Sequence, residues 1–213
     1  MRKLSRVLSQ FCVLILVSAC GGFPVLNEYQ DHDLTAMGPP DAGVARIVFI
    51  RPQTGMAGQG VVGVYDGDEL IGGLSGNGYF VYDAEPGEHL FGCYAHQPGM
   101  DFVKADIAGG LTYYVQCSYQ DRVVSLAAHI FAIKKGSPRM NDISNVLAPL
   151  RYSVLTKEGA DMFAVKNGPD GKEIVDTRAG MFEYRIKIVE LRDDWLKRSS
   201  EVQKAKLLTA DGV

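Results

Sequence analysis

Four cysteines and four histidines are the side chains in this sequence best suited to nucleophilic or metal chemistry. Cys20 ends a short apolar run and directly follows Ala19. The small side chain of Ala19 leaves the peptide bond between Ala19 and Cys20 open to a peptidase. Cys12 lies inside the same run, whereas Cys93 and Cys117 lie in two strand-like segments. None of the histidines belongs to a recognised nucleophile or metal motif. The thiols therefore carry the chemistry that the sequence alone predicts.

The segment before Cys20 has the features of an export signal. Residues 2–6 (RKLSR) are basic, and the apolar stretch at residues 7–17 is too short for a bilayer-spanning helix, which needs about 20 apolar residues. A basic start, a short apolar core and small residues at the end are typical of secretory signal peptides. The sequence therefore predicts a signal peptide at residues 1–19, cut between Ala19 and Cys20.

The residues around this cut resemble the bacterial lipobox, and they read Leu16-Val17-Ser18-Ala19-Cys20-Gly21. The resemblance implies that the Cys20 thiol receives a diacylglycerol and that the new amino group receives a further acyl chain, such as palmitate. Several acyl chains anchor a protein stably where one is marginal. Glycine rather than aspartate after the cysteine implies the outer membrane, with the domain facing the periplasm. The alternative is an ordinary signal peptide with a chance cysteine at the cleavage point.

Two cysteines, Cys93 and Cys117, remain after export and lipidation. In an oxidising compartment two such thiols are expected to pair, so we predict a disulfide bond between them. The alternative is a metal site in which His96 joins Cys93, but structural zinc normally takes four ligands in two closely spaced pairs, and no second pair is present. We expect no metal and no cofactor other than the covalent lipid.

The composition is globular, and the length suits either one domain of ordinary size plus a tail or one domain with two sub-regions. The chain has 213 residues, of which 46% are hydrophobic. Without the three basic residues of the signal, 19 basic and 25 acidic residues remain, a formal charge of −6. This acidity argues against nucleic acid as a partner and against docking on anionic lipid by surface charge, so the lipid must provide the anchor.

The hydrophobic pattern divides the exported chain into three parts. Residues 20–43 have no sustained period and contain three prolines, which predicts a flexible tether. Residues 44–135 contain about seven or eight short strands separated by turn signals, and they predict a β-sandwich of the immunoglobulin-like or prealbumin-like kind. The strands are expected at residues 44–51, 61–65, 69–74, 79–84, 89–95, 102–107, 111–119 and 123–133.

Residues 136–213 predict a mixed, mainly helical extension. Thr156 can cap a short helix at residues 157–166, and a three- and four-residue spacing of apolar side chains predicts a long helix at about residues 177–207. The long helix either packs on the β-domain or binds a partner. We expect its second half to be more available to a partner, and the candidate partner surface is Trp195, Leu196 and Val202.

An ordered set of short motifs in residues 44–119 is similar to a known family. The motifs are Arg51-Pro52, Asp66-Gly67, Gly78-Tyr79-Phe80, Pro86-Gly87-Glu88-His89 and Gly109-Gly110-Leu111-Thr112-Tyr113-Tyr114-Val115. Together they resemble the bacterial lipoprotein domain catalogued as domain of unknown function 2846, and more loosely the PEGA-type β-domains of cell-surface proteins. The resemblance implies a compact β-sandwich on a lipid anchor and supplies no known reaction.

No catalytic constellation is recognisable in the sequence. Asp101 and Asp106 are a carboxylate pair by count only, because residues five apart on a strand point to opposite faces. The glycine-rich loop at residues 55–60 lacks the lysine and helix start of a phosphate-binding loop. We therefore expect a noncatalytic adaptor that binds another envelope protein.

Two alternatives to the adaptor remain. The first is a module for a glycan or small ligand, which would use exposed aromatic side chains at Tyr79, Tyr82, Tyr94 and Tyr119. The second is a hydrolase whose catalytic residues are dispersed along the sequence. An exposed aromatic strip beside a groove would favour the first, and a buried acid–base pair in a pocket would favour the second.

Overall fold

The computed structural model describes residues 25–54, 60–95, 100–122, 125–167, 173–179, 182–186 and 188–197. Within these ranges the chain is mainly β, with short helices. The strands are β1 (Asn27–Gln30), β2 (Ala45–Arg51), β3 (Val61–Asp66), β4 (Glu69–Ser75), β5 (Gly78–Ala84), β6 (Gly87–Tyr94), β7 (Met100–Ile107), β8 (Thr112–Arg122), β9 (Ser125–Ala132), β10 (Arg151–Leu155), β11 (Val165–Asn167), β12 (Glu173–Ala179) and β13 (Phe182–Ile186). The helices are the 3-10 helix η1 (Leu34–Met37), α1 (Pro138–Asn141), α2 (Ile143–Leu147), α3 (Lys157–Phe163) and α4 (Ile188–Leu196).

Two sheets form a sandwich. One has six strands in the order β1-β10-β5-β2-β8-β9, and the other has four in the order β4-β3-β6-β7. The larger sheet is mixed, because β2 runs antiparallel to β5 but parallel to β8, and β10 runs parallel to β5. Strands β11, β12 and β13 form a separate small sheet.

The predicted β-sandwich is confirmed, and its strands lie close to their predicted positions. Strands β2 to β9 are the eight strands between residues 44 and 135. The turn signals also act as expected: Gly67 between β3 and β4 has φ 58°, and Gly87 at the start of β6 has φ 137°. Both lie in a backbone region that glycine adopts without a side-chain clash.

Strand β2 lies at the centre of the larger sheet and is buried along its whole length. Ile47 and Phe49 point into the sandwich, where they join the main core between the sheets. Val48 and Ile50 point to the opposite face and join a second cluster. A strand that is apolar on both faces must be covered on both sides. The four-stranded sheet covers the inner face of β2, and residues outside 44–135 help to cover its outer face.

Helices cover both outer faces of the sandwich. On the six-stranded sheet, Val48 packs with Met140 of α1, and apolar residues of α2 and η1 complete the cluster. On the four-stranded sheet, Tyr65 packs with Phe163 of α3 and Trp195 of α4. The domain therefore has four layers: helices, six-stranded sheet, four-stranded sheet, and helices again.

The tether prediction for residues 20–43 is wrong for its described part. Residues Asn27–Gln30 form β1 and pair antiparallel with β10, so that Asn27 lies opposite Leu155. The segment continues into η1, which Asp33 caps through its side chain. Strand β1 has only a weak sequence signal, because its side chains alternate only between exposed and half-buried and because its partner lies more than 100 residues away.

The prediction of one long helix at residues 177–207 is also wrong. Residues Glu173–Ala179 and Phe182–Ile186 are paired strands, with Thr177 opposite Tyr184, and the helix begins only at Ile188. β-Branched residues and aromatics favour strands, and these outweighed the helical spacing. The predicted C-terminal helix is present as α4, which ends at Leu196; residues 198–207 lie outside the described part of the chain.

The short helix after Thr156 is confirmed as α3. The Thr156 hydroxyl oxygen accepts a hydrogen bond from the Gly159 backbone N–H at 3.1 Å, which is the expected N-cap contact. The helix ends at Phe163, three residues before its predicted end. Among the helices in the described ranges, none has the length and apolar character needed to cross a bilayer.

Candidate functional site

Cys93 and Cys117 form the predicted disulfide bond. Cys93 lies on β6 and Cys117 on β8, so the bond joins the two sheets through the centre of the sandwich, with both side chains buried. Their α-carbons are 6.3 Å apart, and 24 positions separate them in the chain. The two sulfurs are bonded to each other and are therefore not metal ligands, so the alternative metal site is wrong for its two thiols. His96 lies outside the described residues.

A second link between the sheets lies beside the disulfide. Asp101 is opposite Cys93 in the β6–β7 pairing, and Ile130 is opposite Cys117 in the β8–β9 pairing. The Ile130 backbone N–H donates to the Asp101 carboxylate at 3.1 Å, and His129 Nδ1 is 3.3 Å from the same carboxylate. Asp101 is buried and Asp106 is exposed, so the two carboxylates do point to opposite faces. Asp101 thus connects β7 and β9.

The described residues contain one further Asp–His pair, formed by Asp66 and His89 at the β3–β4 and β5–β6 turns. His89 Nδ1 is 2.6 Å from the Asp66 carboxylate, and His89 Nε2 is 2.8 Å from the Glu85 carbonyl oxygen. The Tyr82 hydroxyl donates to the same carboxylate at 3.3 Å. Burial and the Asp66 charge raise the pKa of Tyr82 to about 12.

This arrangement suits structure better than catalysis. A histidine that acts as a general base needs one ring nitrogen free to reach a substrate or nucleophile. In His89 both ring nitrogens face oxygen atoms of the protein, and the ring stacks on Phe91 with its centroid 5.5 Å away. The contacts connect two turns at one end of the sandwich.

Arg51 is a buried cation that sequence reasoning did not single out. It is fully buried, and its Nη1 donates to the carbonyl oxygens of Gly60 at 2.8 Å and Leu74 at 3.0 Å. Its guanidinium lies 4.4 Å from the centroid of the Tyr119 ring, a cation–π contact. Burial lowers the pKa of Arg51. In the sequence, Arg51 is part of the Arg51-Pro52 pair, which indicates the end of a strand and resembles a family motif but does not by itself indicate a buried cation.

The four tyrosines considered for ligand binding do not form an exposed strip. Tyr79 and Tyr94 are 5% and 1% exposed, and they lie in different clusters on the two outer faces of the sandwich. Tyr82 and Tyr119 are half-buried against the main core. The feature that would have favoured a glycan-binding surface is therefore missing from these positions.

One cavity of about 340 Å³ lies between η1 and α2. His32 forms part of its wall, stacks on Tyr152 with 4.1 Å between ring centroids, and has its Nδ1 3.0 Å from the Tyr79 hydroxyl. That hydroxyl donates to the His32 carbonyl oxygen at 2.9 Å. These contacts hold the N-terminal segment on the sheet.

The predicted partner surface is only partly available. Trp195, which we expected to be exposed, is fully buried and packs on Phe102 with 5.9 Å between ring centroids. Leu196 is 45% exposed and is one of two exposed large hydrophobic residues in the described ranges. Val202 lies outside those ranges, as do Ala19 and Cys20 at the predicted cleavage and lipidation site. Trp195 is buried because the four-stranded sheet presents an apolar outer face that α4 must cover.

The described ranges contain no group of three or more histidine, cysteine or acidic side chains placed to hold a metal ion. No protein-family model, curated protein or solved structure matches the chain.

Proposed function

We propose that this chain is an exported lipoprotein, anchored through acylated Cys20 to a bacterial envelope membrane, most simply the outer membrane facing the periplasm. The disulfide between Cys93 and Cys117 carries the proposal, because such bonds persist in oxidising compartments such as the periplasm and are rare in the cytosol. It agrees with the basic start, short apolar core and small residues that precede Cys20.

The anchor is tested with Cys20→Ser, because serine cannot form the thioether. Cells expressing the wild type or the variant are fed an alkyne fatty acid, and the label on each protein is read by gel fluorescence. We expect label on the wild type and none on the variant, which remains as uncut precursor or as a soluble form. Cys12→Ser is the matched control and should keep full label. Undiminished label on Cys20→Ser would refute the anchor.

We further propose that the anchored domain is a noncatalytic adaptor for another envelope protein. In support, the Asp–His pairs at Asp66–His89 and Asp101–His129 make contacts that connect strands and turns, and His89 has both ring nitrogens engaged. Leu196 offers an exposed apolar side chain next to the acidic Asp193 and Asp194. A partner would be a protein that covers Leu196 and tolerates or complements those charges.

The adaptor proposal is tested by cross-linking the lipidated protein in the envelope and identifying captured proteins by mass spectrometry. Leu196→Asp should lose the true partner, whereas Lys134→Asp, an exposed charge change after β9, should retain it. Both variants must keep the wild-type melting temperature. Capture that is equal for both variants would contradict a partner surface at Leu196.

We also propose that residues 44–119 belong to the domain of unknown function 2846 family. Several of the ordered motifs have structural functions that would favour keeping them: Gly67 and Gly87 adopt positive φ, and Arg51 bonds two backbone carbonyls in the interior. Solving the structure of an undisputed family member tests this directly. A different strand order around β2 in that structure would refute the relationship.

A further inference from the structure

The N-terminal segment is fixed to the domain from Val25 onward. The Thr156 hydroxyl donates to the Val25 carbonyl oxygen at 2.6 Å, and the Thr156 backbone N–H donates to the Leu26 carbonyl oxygen at 3.2 Å. Gly159 of α3 packs so closely on the Leu26 carbonyl that a Cβ at position 159 would overlap it. These contacts precede the β1–β10 pairing and continue into it. The chain therefore leaves the domain at a defined place, beside the N-terminus of α3.

Val25 lies only five positions after Cys20 in the chain. A fully extended chain spans at most about 3.6 Å per residue, so Val25 lies within about 18 Å of the lipidated residue. The strands of a sheet are about 4.8 Å apart, so β1 and β9, at opposite edges of the six-stranded sheet, are about 24 Å apart. The connection is thus shorter than the domain is wide. An anchor at Cys20 brings the β1 edge close to the lipid and leaves the β9 edge farther away.

The surface around the exit point has the chemistry of a bilayer contact. Val25 is 67% exposed, the highest value among the large hydrophobic side chains in the described ranges. Residues 20–27 (CGGFPVLN) carry no charged side chain. Lys157, at the start of α3, is ion-paired with Asp161 at 2.8 Å, and Lys166 and Glu158 act on the same pair. These two positive and two negative charges balance, although the whole body is acidic.

We propose that the short N-terminal connection holds the surface formed by Val25, Leu26, Thr156 and Lys157 against the lipid bilayer. This inference rests on the proposed acylation of Cys20. The β9 edge then faces away from the membrane. Two properties suit this surface to a bilayer: the exposed apolar side chain of Val25 and the lack of a strong net charge at the contact.

The test uses the lipidated full-length protein in phosphatidylcholine vesicles that contain phosphatidylcholine spin-labelled at the headgroup. Lys157→Cys places a thiol at the proposed contact, and Lys134→Cys places one after β9, at the opposite edge. Both lysines are exposed, and an introduced thiol is the reactive one because Cys93 and Cys117 are bonded and buried while Cys20 is acylated. Each thiol carries the same fluorophore, and quenching by the spin-labelled lipid is measured.

We expect severalfold stronger quenching of the label at position 157 than of the label at position 134. Twenty Gly/Ser residues inserted between Pro24 and Val25 add a coil of about 25 Å and should remove most of this difference while the protein still floats with the vesicles. Flotation with equal or inverted quenching would overturn the orientation alone. A difference that survives the insertion would show that the connection does not set the orientation. Failure of the wild type to float would refute the anchor, and this inference with it.

Discussion

Replacing Trp195 by alanine should destabilise the domain strongly, although the sequence pattern placed this residue on a partner surface. The indole is fully buried and packs on Phe102, and Tyr65 and Phe163 belong to the same cluster. Truncating a buried tryptophan to alanine removes its apolar contacts and leaves a cavity, at a cost of about 3–5 kcal/mol. For a domain of this size the Tm should fall by roughly 6–20 °C.

The measurement is urea unfolding of the oxidised protein in detergent, followed by far-UV circular dichroism, because the variant lacks its only tryptophan. Leu196→Ala is the matched control; this neighbour is 45% exposed and should change the free energy of unfolding by no more than about 0.5 kcal/mol. Trp195→Phe should lower the free energy of unfolding by less than half as much as Trp195→Ala does. The reason is that the indole Nε1 has no hydrogen-bond partner among the described residues, so no hydrogen bond is lost. Equal stability of the Trp195→Ala and Leu196→Ala variants would refute the packing of α4.

Three further perturbations probe other parts of the domain. Gly159→Ala should lower the free energy of unfolding by about 1–3 kcal/mol, because the new Cβ overlaps the N-terminal segment. Gly43→Ala is the control: position 43 has open space, so the free energy of unfolding should change by no more than about 0.5 kcal/mol. Equal urea midpoints for the two variants would contradict the close contact at Gly159. Reducing the Cys93–Cys117 bond should lower the free energy of unfolding by roughly 3 kcal/mol, measured from urea midpoints with and without reductant. Free thiols found by alkylation of native protein would refute the bond itself. The pKa of Tyr82 is raised from 10.0 to about 12, so its contribution to stability is present below pH 10 and is lost as the pH rises towards 12. Over that pH range the Tm of Tyr82→Phe should therefore fall less steeply than the Tm of the wild type. Parallel curves of Tm against pH would argue against the contribution.

The strands of the β-domain could be predicted because their signals are local. Each strand from β2 to β9 combines alternating or continuous apolar residues with turn residues at its ends, and the Asp66-Gly67 turn pairs β3 with β4. The Pro86-Gly87 turn instead connects β5 in the six-stranded sheet to β6 in the four-stranded sheet. The disulfide could be predicted because the proposed signal cleavage and acylation of Cys20 leave only two thiols to pair. Neither inference required knowledge of contacts between distant parts of the chain.

The N-terminal and C-terminal segments were predicted poorly because pairing between strands decides their structure, over a long range for β1 and within a local hairpin for β12 and β13. Strand β1 is four residues long and mostly polar, and only its pairing with β10 makes it a strand. In β12 and β13, the spacing of Tyr184 and its apolar neighbours satisfies a helical period as well as a strand pair, and the cross-strand partner settles the choice. A one-dimensional period cannot distinguish these cases when a segment is short.

The burial of Trp195 also changes where a partner can bind. An apolar stripe on a helix indicates that one face is covered, but not whether the chain itself or another protein covers it. Here α3 and α4 cover the four-stranded sheet, and α1, α2 and η1 cover the six-stranded sheet. Neither sheet offers a bare central face, so an adaptor function must use helix surfaces, strand edges or turns. If the β1 edge lies on the membrane, the surfaces left for a partner are those around α4 and the β7 and β9 edges. Leu196 lies on the first of these, which is why its substitution tests the adaptor proposal more directly than any change inside the sandwich.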